Sequence, residues 1–275
     1  MLQSLTQVNP YVSVDCVLLG FDGEQLNVLL VRQCSTGGSD STGNYKLPGS
    51  LINMDEDLDD AAQRVLKTLT GLEQVSMIQF RAFGGANRLS NPADSIWLER
   101  FHNLHNQIER IVTIAYAALI RIDRRMERLE EGYEACWMPI CDVPHLAFDH
   151  NDIVNAAIEE IKARATLNPT LIFNLLPRKF TASQLRVAME KVLNTTFDVK
   201  NFHKKLAQMP YVVPLDEKEN GVSHRAARYF KFRKPRSKFG QAPLPHHPAQ
   251  PVRKNGGTWK RDNIYKRYKG PYIIR

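Results

Sequence analysis

With 275 residues, 43% hydrophobic and 24% charged, the chain has the composition of one or two folded domains, not of a disordered or disulfide-stapled polypeptide. It has no run of about 18 apolar residues and no basic opening followed by an apolar stretch, so neither a membrane span nor a secretory leader is expected, and the protein reads as cytoplasmic. The net charge of +8 conceals a division: residues 1–165 hold 14 Lys+Arg against 23 Asp+Glu, and residues 166–275 hold the other 23 against 6. An acidic half joined to a strongly basic half points to two tasks, the second involving a polyanion. Four scattered cysteines without zinc spacing fit reduced thiols, and no metal or cofactor is expected.

In chain order, YVSVDCVLLGF and LNVLLVRQ read as strands separated by the turn DGEQ, and CSTGGSDSTGN reads as a polar, glycine-rich loop. From Leu58 to Leu69 the apolar positions Leu58, Ala61, Ala62, Val65, Leu66 and Leu69 recur at three- and four-residue intervals. This is an amphipathic helix, closed by Gly71. VSMIQFRAF predicts another strand, the following GANRLSNPADSIWLERFHNLHNQIER a long loop with a short helix, and IVTIAYAALIRI a strand buried on both faces. HNDIVNAAIEEIKARAT predicts a helix leading out of an α+β domain.

Beyond Pro169 the pattern changes. TASQLRVAMEKVLN starts at a Thr or Ser cap and gathers Leu185, Ala188, Met189 and Val192 on one face. VKNFHKKLAQM follows Asp198 as its cap and buries Phe202, Leu206 and Met209. EKENG as a turn, with VSHRAARYFKFRK as the returning strand, completes a winged helix-turn-helix pattern. The outward face of the second helix would offer Lys200, Asn201, His203, Lys204 and Lys205 to the major groove. His224, Arg225 and Arg228 on the wing, with Arg178 and Lys179 before the first helix, would reach the backbone or minor groove. Residues 236–275, rich in Pro, Gly, Lys, Arg and Tyr, read as a basic, flexible tail whose deletion should weaken DNA binding and flatten its salt dependence.

The stretch from Ser50 to Leu72 resembles a Nudix box. Glu56, Arg64, Leu66, Gly71 and Leu72 keep the framework spacing, whereas Ser50 replaces the first glycine and Val65, Thr68 and Leu69 replace the glutamates that hold magnesium in the family. Mg²⁺ needs oxygen ligands, so these side chains cannot assemble the hydrolytic site, and no catalytic residue is expected. With FNLLPRKFTASQLRVAMEKVLN, KNFHKKLAQM and HRAARYFKF following, the chain resembles the NrtR-type transcriptional regulators, and among them the arabinose-responsive AraR branch.

The resemblance implies a Nudix-like α/β/α sandwich over 8–165 that senses an effector and forms a homodimer. It also implies a winged helix over 168–235 that binds a palindromic operator in double-stranded DNA. The effector would be a sugar of the arabinose type or, alternatively, an ADP-ribose-like nucleotide in the control of NAD metabolism. Glu56, Arg64, Arg81, Phe83, Arg88, Glu109 and Arg110 would border its pocket. A divergent Nudix hydrolase and an RNA-binding protein using the basic tail are the rival readings.

Overall fold

In a computed structural model, the described residues are 8–33, 45–94, 97, 110–122, 133–219 and 226–234. The chain divides into two units, residues 1–234 and 235–275, and the second lies outside the described residues.

The long strand β1 (Val8–Phe21) organises the first domain because, Asp15 apart, both of its faces are apolar from Val14 onward. Along one edge it runs parallel to β6 (Val112–Arg121), in register from Val12 opposite Val112 to Phe21 opposite Arg121. Its other edge is shared: the N-terminal part pairs with β4 (Gly49–Asn53) and the C-terminal part with β2 (Leu26–Gln33), both antiparallel. β2 in turn pairs with β3 (Tyr45–Lys46) and with β7 (Tyr133–Pro139), while β5 (Ile78–Phe83) pairs with β6, giving a mixed seven-stranded sheet.

Each face is covered by one helix. α1 (Leu58–Thr70) lays Ala61, Ala62, Val65 and Leu66 over Val14, Cys16, Leu18 and Tyr116. α2 (His150–Leu167) lays Ile153, Val154, Ala157 and Ile161 over Val17, Leu19, Val28 and Leu119 on the opposite face. The α/β/α sandwich and the doubly buried strand 112–121 are therefore as the sequence suggests. Helix α1 stops at Gly71, whose φ of 74° gives the left-handed turn that closes it. Strand β7 is absent from the sequence-based reading: ACWMPIC has no two-residue alternation, and its pairing to β2 from Asn27 to Gln33 is what makes it a strand.

A 3₁₀ segment, Pro169–Leu175, carries the chain into the second domain and buries Ile172, Phe173 and Leu175. Phe173 stacks on Phe232 at a centroid distance of 4.4 Å and meets Tyr211 edge-on at 5.6 Å. Helix α3 (Ala182–Leu193) opens with a capping box, in which Thr181 Oγ1 accepts from Gln184 N–H while the Gln184 side chain accepts from Thr181 N–H. Helix α4 (Val199–Ala207) opens with Asp198, whose carboxylate accepts from Asn201 N–H at 2.9 Å. Strands β8 (Phe180–Thr181), β9 (Val212–Lys218) and β10 (Arg228–Phe232) form the wing in the order β8-β10-β9.

Two details differ from the sequence expectation. β9 extends through Glu217 and Lys218, which the sequence pattern places in the turn, and Ala226 and Ala227 precede the returning strand, which among the described residues begins at Arg228. One apolar cluster continues from Val17 and Leu119 through Ile172 and Phe173 to Leu185, Met189 and Phe202, so the winged helix and the α2 face of the sheet share a core.

Candidate functional site

At the start of the box stretch lies a cavity of about 60 Å³, walled by β1, β4, the turn bearing Arg88, Trp97 and the N-terminal end of α2. Asp15 faces it from the middle of β1, a charged residue in an otherwise apolar run. Burial works against its charge, yet His150, Arg88 and Lys46 around it hold its pKa below the usual carboxylate range. His150 Nδ1 accepts from Leu47 N–H at 2.9 Å, leaving Nε2 3.5 Å from Asp15 Oδ1. Burial pushes the pKa of His150 down to about 4, partly offset by Asp15, so the ring is neutral at pH 7 and carries its proton on the Nε2 that faces the carboxylate.

Arg88 donates through Nε and Nη2 to Asp149, with Nη2 to Oδ1 at 2.8 Å, and through Nη1 to the Ile111 carbonyl; its distance to Asp15 is 3.7 Å. Lys46 donates to the Gly49 carbonyl and lies 5.3 Å from the centre of the Trp97 ring. Gly49 is required here, because a Cβ on it would stand 1.8 Å from Asp15 Oδ1 and 2.9 Å from the Val14 carbonyl oxygen.

Of the six described residues expected to border a ligand, only Arg88 lines this cavity. Glu56 and Arg64 engage each other: Arg64 Nε donates to Glu56 at 2.9 Å and its Nη2 reaches the Leu51 carbonyl, while Glu56 accepts from Asn53 N–H. Arg64 and the Asn53 N–H hold the Glu56 carboxyl below its ordinary pKa against the opposing effect of burial. The pair ties the box loop to its helix. Arg81 lies over the Phe83 ring at 5.0 Å, and Arg110 donates to the Gly84 carbonyl at 2.6 Å. These three gather where β5 ends, apart from the cavity lining, and Glu109 lies outside the described residues.

Ser13, Asp15, Lys46, Trp97, Phe148 and His150 also line the cavity, and the sequence pattern marks none of them as ligand residues. The only local signal was the aspartate within VSVDCVLLG.

The magnesium chemistry of a complete Nudix box does not fit these residues. Val65 is 1% exposed inside the α1 cluster, Leu69 packs against that cluster, and Thr68 faces solvent. Asp59 accepts from the Tyr116 hydroxyl at 2.7 Å. Among the described residues no group of three or more His, Cys, Asp or Glu could hold a metal ion. No described helix is long and apolar enough to cross a membrane.

In the winged helix, α4 turns Phe202 and Leu206 inward and exposes Lys200, Asn201, His203, Lys204 and Lys205. Lys205 is the exception within this set, its Nζ lying 4.6 Å from the centre of the Phe197 ring. Arg178 is exposed ahead of β8, Lys179 pairs with Glu217, and Arg228 pairs with Asp216 and donates to the Leu215 carbonyl. His224 and Arg225 lie outside the described residues. The α3–α4 turn is fixed by Glu190, which accepts from Arg186 and from Phe197 N–H at 2.7 Å.

Residues 9–157 match the NUDIX domain family, and residues 172–232 match the NrtR DNA-binding winged helix domain. The chain is 24% identical over 230 residues to the ADPR responsive transcriptional repressor NtrR of Acinetobacter baylyi, covering 82% of each. Its fold is similar to that of Shewanella oneidensis NrtR complexed with a 27mer DNA, with a TM-score of 0.59 at 24% identity over 81% of this chain and 93% of that one. A MutT/nudix family protein from Enterococcus faecalis gives a TM-score of 0.54 at 20% identity, covering 82% and 87%. The chain belongs to the Nudix family, in the NrtR-type arrangement of a Nudix domain followed by a C-terminal winged helix.

Proposed function

We propose that this protein is a transcriptional repressor that binds operator DNA through α4 and its wing and responds to an ADP-ribose-type nucleotide through the Nudix domain. The observation that carries this reading is the succession of both domains in one chain, alike over 82% of its length to an ADPR responsive repressor. The arabinose-type effector expected from the AraR likeness finds no support among these relatives, and the nucleotide alternative replaces it. The apolar substitutions at Val65 and Leu69 support a domain that binds without hydrolysing. The exposed polar and cationic face of α4, mounted on buried Phe202 and Leu206, supports major-groove reading.

A cytoplasmic homodimer on a palindromic operator is the assembly that suits one recognition helix per chain. An effector can change DNA affinity only by favouring one arrangement of the two domains. The core shared by the α2 face and the winged helix supplies a route for that coupling.

The test is selection of bound genomic fragments by the full chain, followed by titration of ADP-ribose against the recovered sites with magnesium present. A shared motif, released by ADP-ribose while the nucleotide stays intact, is expected. Turnover of ADP-ribose would revive the hydrolase reading, and failure to enrich any duplex motif would overturn the DNA-binding one.

A further inference from the structure

The cavity at Asp15 has a wall chemistry that says which part of such an effector it would take. Trp97 is 5% exposed, and its Nε1, itself buried, has no hydrogen-bond partner among the described residues. A buried indole N–H normally finds an acceptor, so this one points to an acceptor that arrives with a ligand. Asp15 complements it. His150 and Arg88 stand 3.5 Å and 3.7 Å from its carboxylate, both longer than a good hydrogen bond, and beside Thr113 a carboxylate with about four lone-pair sites can still accept O–H donors. Ser13, two residues before Asp15 and so on the same face of β1, has a hydroxyl that can both donate and accept, and the Phe148 ring adds a flat apolar surface.

This set is poorly suited to a phosphate. The guanidinium of Arg88 already makes its short bonds to Asp149, the Lys46 ammonium donates to the Gly49 carbonyl, and the Asp15 carboxylate would repel an anion at close range. A neutral group bearing several hydroxyls meets both needs, donating to Asp15 and accepting from Trp97. Size gives the same answer: about 60 Å³ has room for a few hydroxyl-bearing carbons, whereas pockets for whole small-molecule ligands run to roughly 300–1,000 Å³.

We propose that the cavity formed by Asp15, Ser13, Trp97 and Phe148 receives the hydroxyls of the terminal ribose of an ADP-ribose-type nucleotide and leaves the diphosphate outside. This assignment rests on the nucleotide-effector reading. It makes the free ribose, rather than the adenosine diphosphate shared with many metabolites, the feature by which the protein selects its effector.

The experiment is calorimetric titration of the full chain with ADP-ribose and with ADP, which lacks the terminal ribose. Wild type is compared with Trp97→Phe, which keeps the ring and removes the N–H, and with Asp15→Asn. Circular dichroism melts establish that each variant is folded. ADP-ribose should bind wild type at least tenfold more tightly than ADP. Trp97→Phe should weaken ADP-ribose about fivefold, the loss of one hydrogen bond, and leave ADP unchanged. If Asp15→Asn does not fold, Trp97→Phe alone decides. Equal affinities for the two nucleotides, or a Trp97→Phe effect that is absent or identical for both, would overturn the assignment while leaving the nucleotide reading intact. Binding of neither nucleotide would instead reject the effector reading and this assignment with it.

Discussion

Gly49 and Asp15 are packed backbone to carboxylate: a methyl group on Gly49 would lie 1.8 Å from Asp15 Oδ1, and 2.9 Å from the Val14 carbonyl behind it. Neither neighbour can yield easily, one being backbone and the other a buried charge surrounded by His150, Arg88 and Lys46. Gly49→Ala should therefore destabilise the Nudix domain by at least the roughly 1–3 kcal/mol typical of overpacking. Denaturant unfolding measures this directly, and a variant within about 0.5 kcal/mol of wild type would show that the β1–β4 pairing is looser than described.

His150 makes stability depend on pH. Folded, it stays neutral until about pH 4, whereas in the unfolded chain it takes up a proton near 6.5. Between those values the unfolded state binds the extra proton, so stability should be full above pH 6.5 and fall as pH drops towards 4, by on the order of 3 kcal/mol in all. Asp15, also lowered, loses its charge only below the ordinary carboxylate range and so acts at the acid end of this window or beyond it. Thermal melts from pH 7 to pH 5 should show a declining Tm in wild type and a flatter profile in His150→Asn, where the amide oxygen can still accept from Leu47 N–H. Identical profiles would remove His150 as the cause.

Val65 stands where a complete Nudix box has a metal-binding glutamate, but it is buried among Ala61, Leu66 and Tyr116. Val65→Glu should not rebuild the metal site. It should cost several kcal/mol by burying an unpaired carboxylate, whereas Thr68→Glu, on the exposed side of the same helix, should be nearly neutral. Urea midpoints for the two variants provide the check. A stable Val65→Glu protein with magnesium-dependent turnover of ADP-ribose would mean the domain is one substitution from catalysis.

The parts legible in sequence were those written locally. The caps at Thr181 and Asp198 and the buried positions Phe202 and Leu206 follow from spacings of a few residues, and so did α3 and α4. Glu56 and Arg64 were legible as a framework, but their distance in sequence could not show that they bind each other. The cavity was hidden for a different reason. Leu47 and His150, joined by a hydrogen bond, are 103 residues apart, and Arg88 is 61 residues from Asp149. That Arg88 is tied to a carboxylate is equally illegible, because its partner belongs to a helix start that only the folded sheet brings near.

Glu190 joins the two helices of the DNA-binding unit by accepting from Arg186 on its own helix and from Phe197 N–H at the approach to α4. With its side chain only 15% exposed, Glu190→Ala leaves a half-buried N–H and guanidinium without their acceptor. A loss of about 1–3 kcal/mol in stability is expected, with Glu190→Gln recovering part of it. Because the turn sets the direction of α4, operator affinity should fall in the same order. Stability loss with unchanged operator binding would mean that the orientation of α4 is fixed by Phe202 and Leu206 instead.

The exposed face of α4 predicts different behaviour for neighbouring side chains. Lys204, fully on the solvent side, should act on phosphates: Lys204→Ala should weaken all duplexes alike and reduce the slope of log affinity against log salt by about 1. Asn201 has its backbone N–H bound by Asp198, which fixes the first turn and leaves the side-chain amide for a base edge. Asn201→Ala should cost about 1–3 kcal/mol on the operator, relax preference at one base pair and leave the salt slope unchanged. Lys205, drawn over Phe197, should matter least of the three, since its cation is already engaged within the protein. Binding titrations at several salt concentrations, on operator and scrambled duplexes, separate these outcomes. A Lys205→Ala variant with the larger loss of salt slope would place the DNA against the other flank of the helix.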